Sequence, residues 1–152
     1  MPALNHPHTQ RLTLNNGLTL SVRQEPRLNR CAAVLRVAAG SHDVPAAWPG
    51  LAHFLEHLLF LGTERFAAQD NLMAYVQRHG GQINARTSER HTDFFFELPP
   101  SAFAGGLERL CDMLAHPSMN KETQLREREV LHAEFIAWTR EASAQRQLAR
   151  LQ

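Results

Sequence analysis

This 152-residue sequence has few cysteines, a single lysine and no long apolar run. Its two cysteines, Cys31 and Cys111, cannot build a disulfide framework and fit a reducing, cytoplasmic setting. No apolar run reaches the length needed to cross a bilayer; the longest, residues 51–61, is broken by His53, Glu56 and His57. An excess of one charge is absent as well. Sixteen Lys and Arg stand against fifteen Asp and Glu, so the formal charge is +1 and nothing draws the chain to nucleic acid or an anionic membrane. Lys121 is the only lysine among those cations, a bias that nothing in the sequence explains. Residues 1–14 lack the basic-then-apolar order of a secretion signal. Repeats and low-complexity tracts are missing too, which leaves one ordinary domain large enough to bury a core. Histidine breaks this plain pattern: there are nine, and two sit four residues apart.

The first third reads as strands. Residues 11–14 and 18–22 alternate around Asn16-Gly17, a hairpin signal, and predict a buried stripe of Leu12, Leu14, Leu18, Leu20 and Val22. Residues 31–39 are more continuously apolar, as expected of a central strand. Helices are predicted over 51–61, ended by Gly62, and over 69–79, closed by Gly80-Gly81. Residues 83–87 and 91–98 form another strand pair, stopped by Pro99-Pro100. An amphipathic helix over 103–114 presents Phe103, Leu107, Leu110 and Leu114. Residues 122–151 hold helix formers with no Gly or Pro. Hairpin-type connections with few parallel crossovers give an α+β fold, a largely antiparallel sheet with helices packed on one face.

The chemistry sits in residues 51–61. On a helix, His53 and His57 are i and i+4 and project from one face, with Glu56 beside them. Two imidazoles so spaced can hold one zinc ion, and the carboxylate can take a proton from a water that the metal activates. The helix is otherwise apolar nearly all round and is expected to be buried. An unpaired carboxylate there would cost several kcal/mol, a cost that a metal and its water remove. A single histidine in such a helix is ordinarily a core residue; the pair with its glutamate favours metal. A catalytic zinc site needs a third protein ligand. Glu127 and Glu134, seven apart on one face with Val130 and Leu131 between them on the buried side, are placed to supply it, whereas Glu129 points elsewhere. Spacing alone favours reading these acids as a solvated face partnered by Arg126 and Arg128.

His53-x-x-Glu56-His57 has the inverted zincin order, and the run from Gly50 to Thr63 resembles the insulinase/pitrilysin family of zinc metallopeptidases. That family draws its third ligand from a Glu-Arg-x-x-x-x-x-Glu segment some seventy residues downstream, matched by Glu127-Arg128 and Glu134. The resemblance implies Zn2+ held by His53, His57 and Glu134, Glu56 as general base, and Glu127 as a further acid of the catalytic set. Residues 80–85 and 90–96 resemble the strand on which family members bind peptide as an added strand. Asn84 and Ala85 match the positions that contact its backbone.

The implied activity is zinc-dependent endopeptidase action on a peptide substrate. Two other readings stand beside it. One is a non-catalytic interaction domain that keeps the fold. The other is a small metal-dependent lyase of the S-ribosylhomocysteinase type, which would need a cysteine at the site, whereas Cys31 and Cys111 read as core residues. Family members are several times longer, and the sequence ends inside a helical pattern without a stop signal. Residues 1–152 are therefore expected to be the N-terminal catalytic domain of a two-halved protein, truncated at its C-terminus. Such a piece should bind zinc but have weak or absent peptidase activity without the remaining domains.

Overall fold

The computed structural model describes residues 8–141. Its order is β1 (His8–Thr13), β2 (Thr19–Gln24), β3 (Cys31–Val37), α1 (Leu51–Leu59), α2 (Leu72–Arg78), β4 (Gln82–Thr87), β5 (Thr92–Leu98), α3 (Pro100–Ala115) and α4 (Lys121–Thr139). Every strand pair is antiparallel, and the fold is α+β with helices on one face of the main sheet. That sheet has the order β3-β5-β4, while β1 and β2 pair only with each other.

The core follows from strand alternation. Phe94, Phe96 and Leu98 of β5 point to one face and are almost completely buried. Leu59 of α1, Leu72 and Val76 of α2, and Ala102, Leu110 and Met113 of α3 close over them. Each of these side chains larger than alanine contributes about 1.5–3 kcal/mol by leaving water. Gly106 lets α3 approach this closely, since a Cβ there would lie 2.6 Å from Leu98 Cδ1 and 2.9 Å from the Phe96 ring. Asn71 joins two helices: its Oδ1 accepts from Ala74 N–H at the start of α2, and its Nδ2 donates to Phe60 O just past α1.

The outer face of the sheet is polar at its ends. Arg36 donates two hydrogen bonds of 2.7 Å to Asp93, and Arg30 donates one of 2.8 Å to Glu97. The loop before α1 is tied to the β4–β5 turn, because Ser41 N–H donates to Ser88 O and His42 N–H to Glu89 O. Gly40 permits this, as a Cβ there would sit 2.3 Å from Ser88 O. The start of α1 is thereby registered against the end of β4.

Several burial expectations fail. Leu12, Leu14, Leu18 and Val22 are exposed, Val22 by 52%, and Leu20 is half-buried. Alternation marks an apolar face but cannot supply its cover, and the β1–β2 ribbon lies apart from the main sheet. Strand β3 is an edge, not the centre, and leaves Val34 68% exposed. Its apolar run includes two alanines, whereas β5 carries the bulkiest inward side chains and takes the middle. Helix α1 is buried on one side only, with Leu51 and Leu55 exposed. Leu107 of α3 and Val130 of α4 are exposed rather than packed. Cys111 is exposed and Cys31 only half-buried, so neither is a core residue. Helix α4 ends at Thr139 and turns at Arg140, so the expected unbroken helix over 122–151 stops early; residues 142–151 lie outside those described. Among the described residues, no helix is long and apolar enough to cross a membrane.

Candidate metal centre

Helix α1 begins at Gly50, whose φ of +88° turns the chain sharply into its first turn. The helical period then stacks His53 and His57, with ring centroids 4.8 Å apart and planes at 83°. Their Nε2 atoms are 3.3 Å apart. Helix α4 crosses this face and brings Glu134 Oε2 to 3.6 Å from His57 Nε2. One ligand atom from each of His53, His57 and Glu134 lies within 4.8 Å of the others. Ligands of a tetrahedral zinc, at about 2.0–2.2 Å from the ion, stand about 3.3–3.5 Å apart. The two imidazoles and the carboxylate thus form a donor set of the right chemistry and nearly the right span.

The other nitrogen of His57 is also occupied by an acid. Glu127 Oε2 is 3.4 Å from His57 Nδ1, on the far side of the ring from Glu134. A carboxylate there favours the tautomer with hydrogen on Nδ1 and a free lone pair on Nε2, the arrangement that metal ligation requires. Glu129 takes no part; it pairs with Arg128.

Glu56 is buried, with 8% of its surface exposed, although both histidines beside it reach solvent more freely. The Thr87 hydroxyl donates a hydrogen bond to Glu56 Oε2. Thr87 was not apparent as a site residue from sequence. The available signal was its place as the polar member of the inward series Ile83, Ala85, Thr87 on an otherwise apolar face. Asn84 and Ala85 lie on β4, whose second edge is unpaired in the sheet. The Asn84 side chain accepts from Ala85 N–H at 2.8 Å.

Two grooves meet at Gly50 and His53. One, of about 750 Å³, runs between α1 and α4 and is largely apolar, with Trp48, Phe54, Leu131, Phe135 and Trp138 along it. The other, of about 410 Å³, runs toward β4 and holds Ser41, Glu56, Arg86 and Thr87. An extended chain crossing the His53–His57–Glu134 cluster would pass from one into the other.

This site on this fold defines a class. Residues 20–151 match the family described as Insulinase (Peptidase family M16), and the chain belongs to that family. The crystal structure of pitrilysin resembles it with a TM-score of 0.82 and 33% identity, covering 91% of this chain and 15% of that one. Protease 3 of Escherichia coli K12 is 34% identical over 141 residues, 92% of this chain and 15% of the relative.

Within the family, residues 1–11 and the run from Trp48 to His57 resemble the bacterial pyrroloquinoline quinone (PQQ) biosynthesis protein F. Coenzyme PQQ synthesis protein F of Pseudomonas protegens is indeed 75% identical over 132 residues, which are 87% of this chain and 16% of that protein. The chain thus spans less than a fifth of the length of the relatives it matches.

Proposed function

We propose that this chain is the metal-binding catalytic unit of a zinc-dependent endopeptidase, and that the enzyme cleaves a precursor peptide in PQQ synthesis. The observation that carries the reading is the convergence of His53, His57 and Glu134 within 4.8 Å, beside a buried Glu56. Membership of a peptidase family and 75% identity to a PQQ synthesis protein support it.

His53, His57 and Glu134 would hold the ion, and Glu127 keeps His57 turned with Nε2 toward it. An ion held there would supply Lewis acidity, to polarise the scissile carbonyl and to lower the pKa of water at the site toward about 7. Glu56 accepts the proton of the attacking water and delivers it to the leaving amine. Burial suits that task, because a carboxylate shielded from bulk solvent exchanges its proton with the reacting groups instead. Thr87 holds one Glu56 oxygen and leaves the other for the water. The substrate backbone would add as a strand on the open edge of β4, where Ala85 N–H and the Asn84 side chain meet it.

The remaining domains of the longer enzyme would complete the substrate chamber. Cytoplasmic location belongs to the same proposal, supported by two free thiols. No cysteine joins the cluster among the described residues, which favours the peptidase over a lyase of the cysteine-using type.

Paired substitutions in the full-length polypeptide test this. Glu134→Gln should lose zinc by metal analysis, and unchanged stoichiometry would remove Glu134 from the ligand set. Glu56→Gln should keep zinc yet lose peptidase activity by about 10²–10⁴-fold. Undiminished turnover would end the base assignment.

A further inference from the structure

The groove toward β4 contains one cation, Arg86. Its register partner across the sheet is Asp93, and the register partner of Asp93 on the other side is Arg36. Asp93 is committed to Arg36, which donates to both of its carboxylate oxygens at 2.7 Å. This row of the sheet therefore holds two guanidinium groups and one carboxylate. Among the described residues, Arg86 forms no ion pair or side-chain hydrogen bond; it is exposed, lines the groove, and shares the outer face of the sheet with Asp93, on which its charge acts more weakly than that of Arg36. Glu56, the one acid of that groove, is engaged by Thr87, the residue next to Arg86 in the chain. The apolar groove on the opposite flank offers a contrast. Its arginine, Arg128, is already paired with Glu129 at 2.7 Å and 3.1 Å.

We propose that Arg86 is a specificity residue that receives a substrate carboxylate, the side chain of an Asp or Glu flanking the scissile bond on its β4 side. The inference rests on the peptidase reading above and adds a substrate class to it. A guanidinium fork binds a carboxylate through two parallel N–H···O bonds, which gives orientation as well as attraction. A peptide paired along β4 puts alternate side chains on the face that carries Arg86. The same peptide carries an apolar residue into the groove of Trp48, Phe135 and Trp138. The two flanks thus read opposite chemistries, and the acidic one is read by a single cation with no ion-pair or side-chain hydrogen-bond partner among the described residues. A free peptide C-terminus presents the same carboxylate chemistry and is separated by the test.

The test uses the full-length polypeptide and internally quenched peptides with amidated C-termini. Each residue flanking the scissile bond is varied in turn among Glu, Gln and Lys, and one added Gln peptide has a free C-terminal acid. Wild-type enzyme should cleave the Glu peptide about tenfold faster in kcat/KM than the Gln peptide at low ionic strength, and the margin should shrink with salt. Arg86→Gln should abolish the preference and Arg86→Glu should transfer it to Lys, read as the ratio of kcat/KM between peptides within each variant. Cleavage without charge preference, or a preference that survives Arg86→Gln, overturns the proposal and leaves the peptidase reading intact. A preference found only for the free C-terminal acid overturns the side-chain assignment. Failure to cleave any peptide, with Glu56→Gln indistinguishable from wild type, removes the peptidase reading itself. Peptide affinity measured on the zinc-loaded Glu56→Gln protein gives an independent readout, and equal binding of Glu and Gln peptides there also overturns the proposal.

Discussion

His57 carries more of this site than its neighbours do. One of its nitrogens faces the shared centre with His53 and Glu134, and the other faces Glu127. Ligation leaves the ring free to rotate unless something holds the second nitrogen, and Glu127 is the group in position to do so. Glu127→Gln should therefore weaken zinc binding by about 10–100-fold, read by competition with a chelator. The metal-free protein should keep its unfolding midpoint, because Glu127 lies on a helix with no fully buried residue. A fall in stability without a change in zinc affinity would make Glu127 a packing residue instead. The i, i+3 and i+4 relation of His53, Glu56 and His57 was legible in the sequence, because one helical turn fixes it whatever the rest of the chain does. Glu127 was a candidate by its spacing from Glu134, but its approach to His57, and that of Thr87 to Glu56, were not derivable from periodicity. Each depends on how a distant element is laid against α1.

Among the elements, α3 and β5 set the frame. The bulky inward face of β5 demands a close cover, and Gly106 is where α3 meets it. Gly106→Val should lower stability by about 1–3 kcal/mol, measured by urea denaturation, because the added carbons would meet Leu98 and Phe96 in an already filled core. An unchanged midpoint would mean that α3 can lift off the sheet at little cost. The boundaries of α1, α2 and α3 and the β4–β5 hairpin agree with the sequence reading to within a few residues, since Gly62, Gly80 and the Pro99-Pro100 pair stop elements locally. The choice of central strand does not follow from such signals. A strand is central when both neighbours pair with it, and apolar content measures only how much dryness it tolerates.

At the scale of the whole molecule, three carboxylates link folding to pH. Asp70 is held below the usual carboxylate range by hydrogen bonds from Arg78 and then Arg109, which also lies over the Phe66 and Tyr75 rings at 4.2 Å and 4.0 Å. Asp93 is lowered chiefly by Arg36, and Asp112 chiefly by the Thr63 hydroxyl at 2.6 Å. A carboxyl with a lower pKa folded than unfolded adds stability above its unfolded value, about 3.9, and loses it as pH falls through the folded value. The unfolding midpoint should thus hold through neutral pH, as far as these groups decide it, and drop below about pH 4. Asp70→Asn should flatten part of that drop, as measured by thermal unfolding across pH. A slope unchanged by the substitution would mean that Asp70 does not contribute. These pairs tie α2, α3 and β5 to their surroundings, so protonation loosens the scaffold under the site.

What the sequence determined by itself is local: the histidine pair and its glutamate, the antiparallel hairpins, and the places where helices start and stop. Backbone geometry repeats over a few residues, so side chains within one turn or one strand have a fixed relation before any packing occurs. The tertiary structure alone decided that Glu134 and Glu127 of α4 reach His57, that Thr87 closes on Glu56, and that Arg86 stands in the adjoining groove. It also decided that the β1–β2 ribbon and half of α1 stay open to solvent. Burial and long-range contact belong to pairs of surfaces, and one segment of sequence describes only one of the two.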